Sequence, residues 1–290
     1  MADRHLGSPT DTVTLDAAPA LAPLLARGAL RSPFKRPAPG AGFPRTRLVL
    51  PGVRVDLAKL AAYERVCGFA TGAPELPVTY PHVLGFPLAM RLMSGRDFPL
   101  PLLGLVHTSI EIERGAAPAA DGEYDVEVRV EGLAPHRRGT EATVATALCS
   151  RGEPVWTSRS TYLARHRTGT VTAPEPRGDT GARLPVVAEW NLGDDVGRRY
   201  GAASGDRNPI HLSPLTARLF GFPRAIAHGM WTVARCLAAH GTPDAAEVRV
   251  RFRAPVLLPG TVVYGADGSG RFELRGEDGR VHLTGEVRGK

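Results

Sequence analysis

The stretch Tyr200-Gly-Ala-Ala-Ser-Gly-Asp-Arg-Asn-Pro-Ile-His211 sets a carboxylate (Asp206), an amide (Asn208) and an imidazole (His211) within six residues. A carboxylate and an imidazole held together form a proton-transfer pair, because each shifts the other's pKa. Such chemistry needs a fixed backbone. Gly205 permits a tight turn at positive φ, while Pro209 fixes its own φ and pushes Asn208 away from helix. Taken alone, Asp-x-Asn-Pro reads as an Asx-type turn before a helix start, with His211 on the surface. A second motif changes the balance.

That motif is Ala225-Ile-Ala-His-Gly-Met-Trp-Thr-Val-Ala-Arg-Cys-Leu-Ala-Ala-His-Gly241. Met230, Val233, Ala234, Leu237 and Ala238 recur at the spacing of one helix face, which predicts a buried helix ending at Gly241. His228-Gly229 opens it. Unpaired N–H groups at a helix start favour negative charge, and aimed at a carbonyl they stabilise a developing enolate or oxyanion. Close packing would explain Gly229 on its own. Its conjunction with Asp206 and His211 points to chemistry.

The elements that must position these groups occur twice. In the first half, strands are predicted at 47–55, 103–113, 123–131, 141–150 and 154–164, with helical segments at 57–68 and 81–95. In the second, a strand at 186–192 precedes a helix opened by Ser213-Pro214 and ended at Gly221, and then the helix from Gly229. Strands follow at 247–258, 261–265, 271–276 and 281–288. A strand, a buried helix and an antiparallel meander make an α+β fold in which a curled sheet wraps one helix. This is hot-dog logic, and two tandem copies give a double hot-dog pseudo-dimer. The domains expected are a Pro/Gly/Arg-rich arm (1–45, one short helix near 15–30), an N-terminal hot-dog (46–166), a linker (167–185) and a C-terminal hot-dog (186–290).

The repeat aligns residue by residue. Tyr63-Glu-Arg-Val-Cys-Gly68 mirrors Tyr200–Gly205, and Val83-Leu-Gly-Phe86 mirrors Ala227–Met230. Phe69 stands opposite Asp206, Pro74 opposite His211 and Leu84 opposite His228. The first half keeps the scaffold and lacks the proton-transfer groups. Phe86, Met90, Leu92 and Met93 offer it an apolar wall for a ligand, although most are expected to pack the core.

Tyr200, Ser204-Gly-Asp-Arg-Asn-Pro-Ile-His211 and His228-Gly-Met230 together resemble the signature of the MaoC-like hydratase/dehydratase (hydratase 2) family of the hot-dog fold. Nothing in that run departs from the pattern, and the resemblance extends over most of 47–290. It implies reversible syn addition of water across the 2,3 double bond of a trans-2-enoyl thioester, giving the (3R)-hydroxyacyl product. It implies Asp206 and His211 as the catalytic pair, Asn208 as their support, and the Gly229 N–H as the donor to the thioester carbonyl. Which of Asp206 and His211 is acid and which base stays open. The segment Leu76–Leu88 is similar to the N-terminal domain of actinobacterial double-hot-dog (3R)-hydroxyacyl dehydratases, which favours fatty-acid-type dehydration.

Composition bounds the alternatives. With 43% hydrophobic and 22% charged residues over 290 positions, the chain suits two ordinary globular domains. Cys67, Cys149 and Cys236 form no C-x-x-C and no even framework, which predicts a reducing, cytoplasmic setting. No apolar run is long enough to span a membrane, and Asp16, Pro19, Pro23 and Arg27 interrupt the Ala/Leu-rich start as no signal peptide would. The net charge of +7 rests almost wholly on scattered arginines without interleaved aromatics. That argues against nucleic acid and suits an anionic carrier, either coenzyme A or an acyl carrier protein. No metal-ligand spacing, dinucleotide loop or serine-hydrolase elbow is present, so neither metal nor cofactor is expected. His82, His107, His136 and His240 read as surface or satisfied core residues. The rivals are a hot-dog thioesterase, which would place an acid on the central helix, and a non-catalytic acyl-thioester binder, which would show a damaged polar site. A monomeric pseudo-dimer and a homodimer are equally compatible with the repeat.

Overall fold

The computed structural model describes residues 11–168 and 183–290. The linker expected at 167–185 and the start of the arm lie largely outside them. Along the first half run β1 (Asp11–Thr14), α1 (Leu21–Arg31), β2 (Thr46–Arg54), α2 (Leu57–Cys67), α3 (Tyr80–Met93), β3 (Val106–Arg114), β4 (Glu123–His136), β5 (Gly139–Ser150) and β6 (Glu153–Arg165). The second half contributes β7 (Val186–Leu192), α4 (Val196–Ser204), α5 (Pro214–Leu219), α6 (Gly229–His240), β8 (Ala246–Phe252), β9 (Gly260–Ala266), β10 (Arg271–Gly276) and β11 (Val281–Gly289). This is the α+β, double hot-dog fold that the sequence implies.

The chain divides into two compact units that do not coincide with its halves. One lies within Met1–Val53, Leu84–Thr108 and Glu123–Gly178, the other within Arg54–Val83, Ser109–Gly122 and Asp179–Lys290. The first unit carries strands in the order β1-β2-β4-β5-β6. Met90, Leu92 and Met93 of α3 are buried in its core. Packing, the blander of the two roles foreseen for them, is what their burial shows. Gly85 lets α3 approach β5, since a Cβ there would lie 2.5 Å from the Thr146 methyl.

The second unit orders its strands β3-β8-β11-β10-β9-β7, and α6 packs on β10. Met230, Val233, Ala234 and Leu237 of α6 are buried, as the periodicity requires, and so are Trp231 and Cys236, while Ala238 of the expected face is half-buried. Each large side chain among them contributes about 1.5–3 kcal/mol by leaving water. Helix α2, from the first half of the chain, belongs to this unit. Asp56 caps it by accepting from the N–H groups of Ala58 and Lys59, and Gly68 ends it at φ 84°. It lies against α4 and α6, and the Trp231 indole donates to the Val66 carbonyl at 2.8 Å.

Four elements depart from the sequence reading, the first being β1, a strand paired with β2 in an arm where only a helix was expected. Helix α4 forms around Tyr200, where the sequence reading placed no element, because packing on α2 outweighs the poor helix propensity of Gly197 and Gly201. Strand β8 stops at Phe252 instead of reaching 258, as Pro255 cannot donate to a ladder. Strand β4 runs on to His136 through a bulge near Val130 that keeps its pairing with β5. Among the described residues, no helix is long and apolar enough to cross a membrane.

Candidate active site

The polar cluster lies wholly within the second unit and is built on the end of α4. Gly205 caps that helix in the left-handed region at φ 80°, its N–H reaching the Gly201 carbonyl at 3.0 Å. Ser204 Oγ donates to the Tyr200 carbonyl (2.8 Å) and accepts from the Asp206 N–H (3.2 Å). Asp206 Oδ1 accepts from the Asn208 N–H at 3.2 Å, and Asn208 Oδ1 accepts from the Ile210 N–H at 3.4 Å. The Asx turn is therefore real, and Asn208 starts the 3-10 turn Pro209–His211. His211 is buried where that reading alone would leave it exposed.

Two glycines of α4 allow the motif to fold back on its own helix. A Cβ on Gly197 would overlap the His211 carbonyl oxygen, and one on Gly201 would lie 2.8 Å from the Asp206 carbonyl oxygen. The sequence reading missed both. Their i, i+4 spacing just before the motif was the available signal.

His211 Nδ1 lies 2.8 Å from the Ile226 carbonyl. A carbonyl can only accept, so Nδ1 carries the proton and Nε2 keeps its lone pair. By the same logic His228 Nε2, 2.8 Å from the Asp206 carbonyl, is protonated. His228 Nδ1 is buried without a hydrogen-bond partner. The two rings stack at 3.7 Å between centroids, 24° from parallel, and Tyr200 tilts onto His228 at 4.8 Å.

Burial pushes His211 down to about 3, with His228 adding to the shift and Asp206 opposing it. Burial also lowers His228, against the opposing effect of Asp206. His228 Nε2 is 4.0 Å from Asp206 Oδ2, but desolvation dominates, so the contact is a neutral ring bound to a backbone oxygen and not an ion pair. Side-chain exposure separates the members. His228 is 2% exposed and Asp206 27%, so the carboxylate is the more open to solvent.

One ligand atom from each of Asp206, His211 and His228 lies within 4.8 Å of the others, a spacing that metals use. The chemistry of the set fits poorly. Imidazole lone pairs lie in the ring plane, and two nearly parallel stacked rings do not converge on one ion.

Helix α6 begins at Gly229, directly after His228. No side chain caps it, and its first internal bond runs from the Thr232 N–H to the His228 carbonyl. The Gly229 N–H thus has no helical acceptor. A Cβ there would lie 3.0 Å from the Phe252 ring. Arg235, the charged residue on α6, stacks on Trp190 at 4.3 Å and lies against Gly68, away from this cluster. His82 is the other residue that the sequence undervalued. It is buried at the start of α3, lowered to about 4 by burial, and feels the Asp206 charge.

A profile of the MaoC like domain matches residues 179–284. The 3-hydroxyacyl-thioester dehydratase X of Mycobacterium tuberculosis is 38% identical over 253 residues, covering 85% of this chain and 90% of that protein. The crystal structure of HtdX from the same organism superimposes with a TM-score of 0.73 at 37% identity, covering 84% of this chain and all of that one. A MaoC-like dehydratase from Phytophthora capsici shares the fold at a TM-score of 0.67 and 20% identity, over 84% of this chain and 95% of that one. The fold is that of a hot-dog protein. The chain belongs to the MaoC-like dehydratase family.

Proposed function

We propose that the protein is a (3R)-3-hydroxyacyl-thioester dehydratase, working in reverse as an (R)-specific trans-2-enoyl-thioester hydratase in fatty-acid-type metabolism. The observation that carries this reading is the fixed tautomer of His211. Its Nδ1 proton is committed to Ile226, which leaves Nε2 as a base beside the Asp206 carboxylate and next to the uncapped start of α6.

In the elimination direction Nε2 of His211 takes the C2 proton of the hydroxyacyl thioester. Negative charge moves onto the thioester oxygen, where the Gly229 N–H stabilises it. The C3–O bond then breaks. The same proton passes to the departing hydroxyl, which leaves as water, and C2=C3 forms. Atoms and charge balance without an external reagent, and both groups leave from one face, as syn geometry requires. Asp206 holds the hydroxyl and stabilises the transient imidazolium. Burial disfavours that cation, so the proton is returned promptly.

The acyl group arrives on coenzyme A or on an acyl carrier protein. No cofactor is required, and the protein acts as a monomeric pseudo-dimer or a homodimer in the cytoplasm. A thioesterase of the same fold is less well supported, because α6 carries no acid. A non-catalytic binder would not need the intact Asp206–His211 pair. The test is hydration of crotonyl-coenzyme A followed by loss of enoyl absorbance. The product should be inert to an S-specific 3-hydroxyacyl dehydrogenase. Rapid oxidation by that enzyme would sink the assigned stereochemistry.

A further inference from the structure

Between Pro209 and Ile226 the chain makes an excursion that leaves the site and returns to it. It departs from the 3-10 turn containing His211. It comes back where the Ile226 N–H donates to the Ile210 carbonyl (3.2 Å) and the Ile226 carbonyl holds His211. Helix α5 is the body of this excursion. Ser213 caps it, and Thr216 Oγ1 ties it to the Pro209 carbonyl at 2.5 Å. What α5 presents outward is unusual for a solvated helix. Leu215 and Leu219, one turn apart, are 75% and 83% exposed.

The charges along this segment of the chain are of one sign. Residues 207–243 contain no Asp or Glu, and include Arg207, Arg218 and Arg224, all exposed. Arg218 and Arg224 hydrogen-bond only backbone carbonyls, of Pro223 and Pro259. No described carboxylate forms an ion pair with any of the three arginines. A pair of exposed leucines beside unpaired arginines is the complement of an acidic amphipathic helix. Phosphates of a free coenzyme would use the arginines and leave the leucines without a role.

We propose that the outer face of α5, with Arg218 and Arg224, docks the acidic helical surface of an acyl carrier protein that delivers the thioester to the Asp206–His211 site. This rests on the hydro-lyase reading above and deepens it by choosing the carrier. Because α5 is tied to the turn that bears His211, a carrier seated there lies next to the reacting groups.

The experiment compares one acyl group on two carriers, crotonyl-coenzyme A and crotonyl thioester loaded on an acidic bacterial acyl carrier protein. The full-length wild type is measured beside Arg218→Glu/Arg224→Glu and Leu215→Ser/Leu219→Ser. Each double variant should raise KM for the carrier-protein thioester by about fivefold or more. Turnover of crotonyl-coenzyme A should stay at the wild-type level. Raising salt should weaken the wild type on the carrier protein and affect the arginine variant far less.

An unchanged KM for the carrier protein in both variants would overturn the proposal, as would equal damage on both substrates. Wild-type turnover of crotonyl-coenzyme A alone would overturn this surface and leave the hydro-lyase reading standing. Turnover of neither substrate would remove both.

Discussion

Helices α2 and α4 are two copies of one device and end differently. Each carries a buried tyrosine, Tyr63 or Tyr200, five residues before a left-handed glycine cap, at φ 84° and 80°. The tyrosine rings meet at 5.9 Å. After Gly205 the chain doubles back over α4, and Gly197 and Gly201 leave room for the His211 and Asp206 backbone. In α2 the corresponding positions are Leu60 and Glu64, which fill that room with side chains. Glu64 instead accepts from the Gly72 N–H at 3.0 Å, and Pro74 stays exposed. The helix starts differ in the same sense. Gly229 is the first residue of α6, whereas Gly85 lies inside α3, where its N–H is used by the helix. The two copies therefore differ in backbone space and in a buried donor as well as in side chains.

The sharpest way to break this comparison is to remove the pair itself. Asp206→Asn and His211→Ala should each lower kcat by about 10²-fold or more in steady-state assays, while circular dichroism shows the fold retained. Near-wild-type turnover in either variant would mean that the two helix ends do not differ in the way described. Gly197→Ala should come next, since it forces the His211 backbone away from α4. We expect a fall in kcat of about tenfold or more and a stability loss of about 1–3 kcal/mol, measured by denaturant unfolding. The mirror change Leu60→Gly should cost stability and create no second activity, because Phe69 and Pro74 cannot move protons.

A subtler test uses acid. Burial holds His211 at about 3 and His82 at about 4, both below the value of an unfolded chain near 6.5. The unfolded state then binds protons that the fold refuses. Stability is undiminished above about pH 6.5 and is lost as pH falls from there toward the folded values. Between about pH 6.5 and 5 each group should cost about 2 kcal/mol. Melting curves of wild type and His211→Asn across that range would show a shallower decline in the variant. Equal slopes would mean that His211 is not held neutral. Smallest of all, Tyr63→Phe removes the 2.7 Å hydrogen bond to Thr79 and should cost about 1 kcal/mol with kcat little changed.

Much of this was legible in the sequence because it obeys local rules. The periodicity of Met230–Ala238 announced a buried helix, Ser213-Pro214 announced the start of α5, and the Gly-Asp-x-Asn-Pro-x-His run carried the family resemblance. What escaped reading depends on contacts distant in the chain. Gly197 and Gly201 look like helix breakers until α2 is seen packing on α4. His82 looks like filler until α3 places it within reach of the Asp206 charge. The membership of α2 in the second unit crosses the repeat boundary, and no local pattern marks such an exchange.

That exchange bears on how a duplicated chain ages. Under the proposed function the first copy does no chemistry, so no catalytic constraint falls on positions such as Phe69 and Pro74. Deletion is a separate matter. The Trp231 indole proton and the Tyr200 ring each find their partner on α2, a segment of the first copy. Removing that copy would strip a wall from the second unit. Helix α2 is a tenant of the second unit's core, held there by packing whatever chemistry its own half performs.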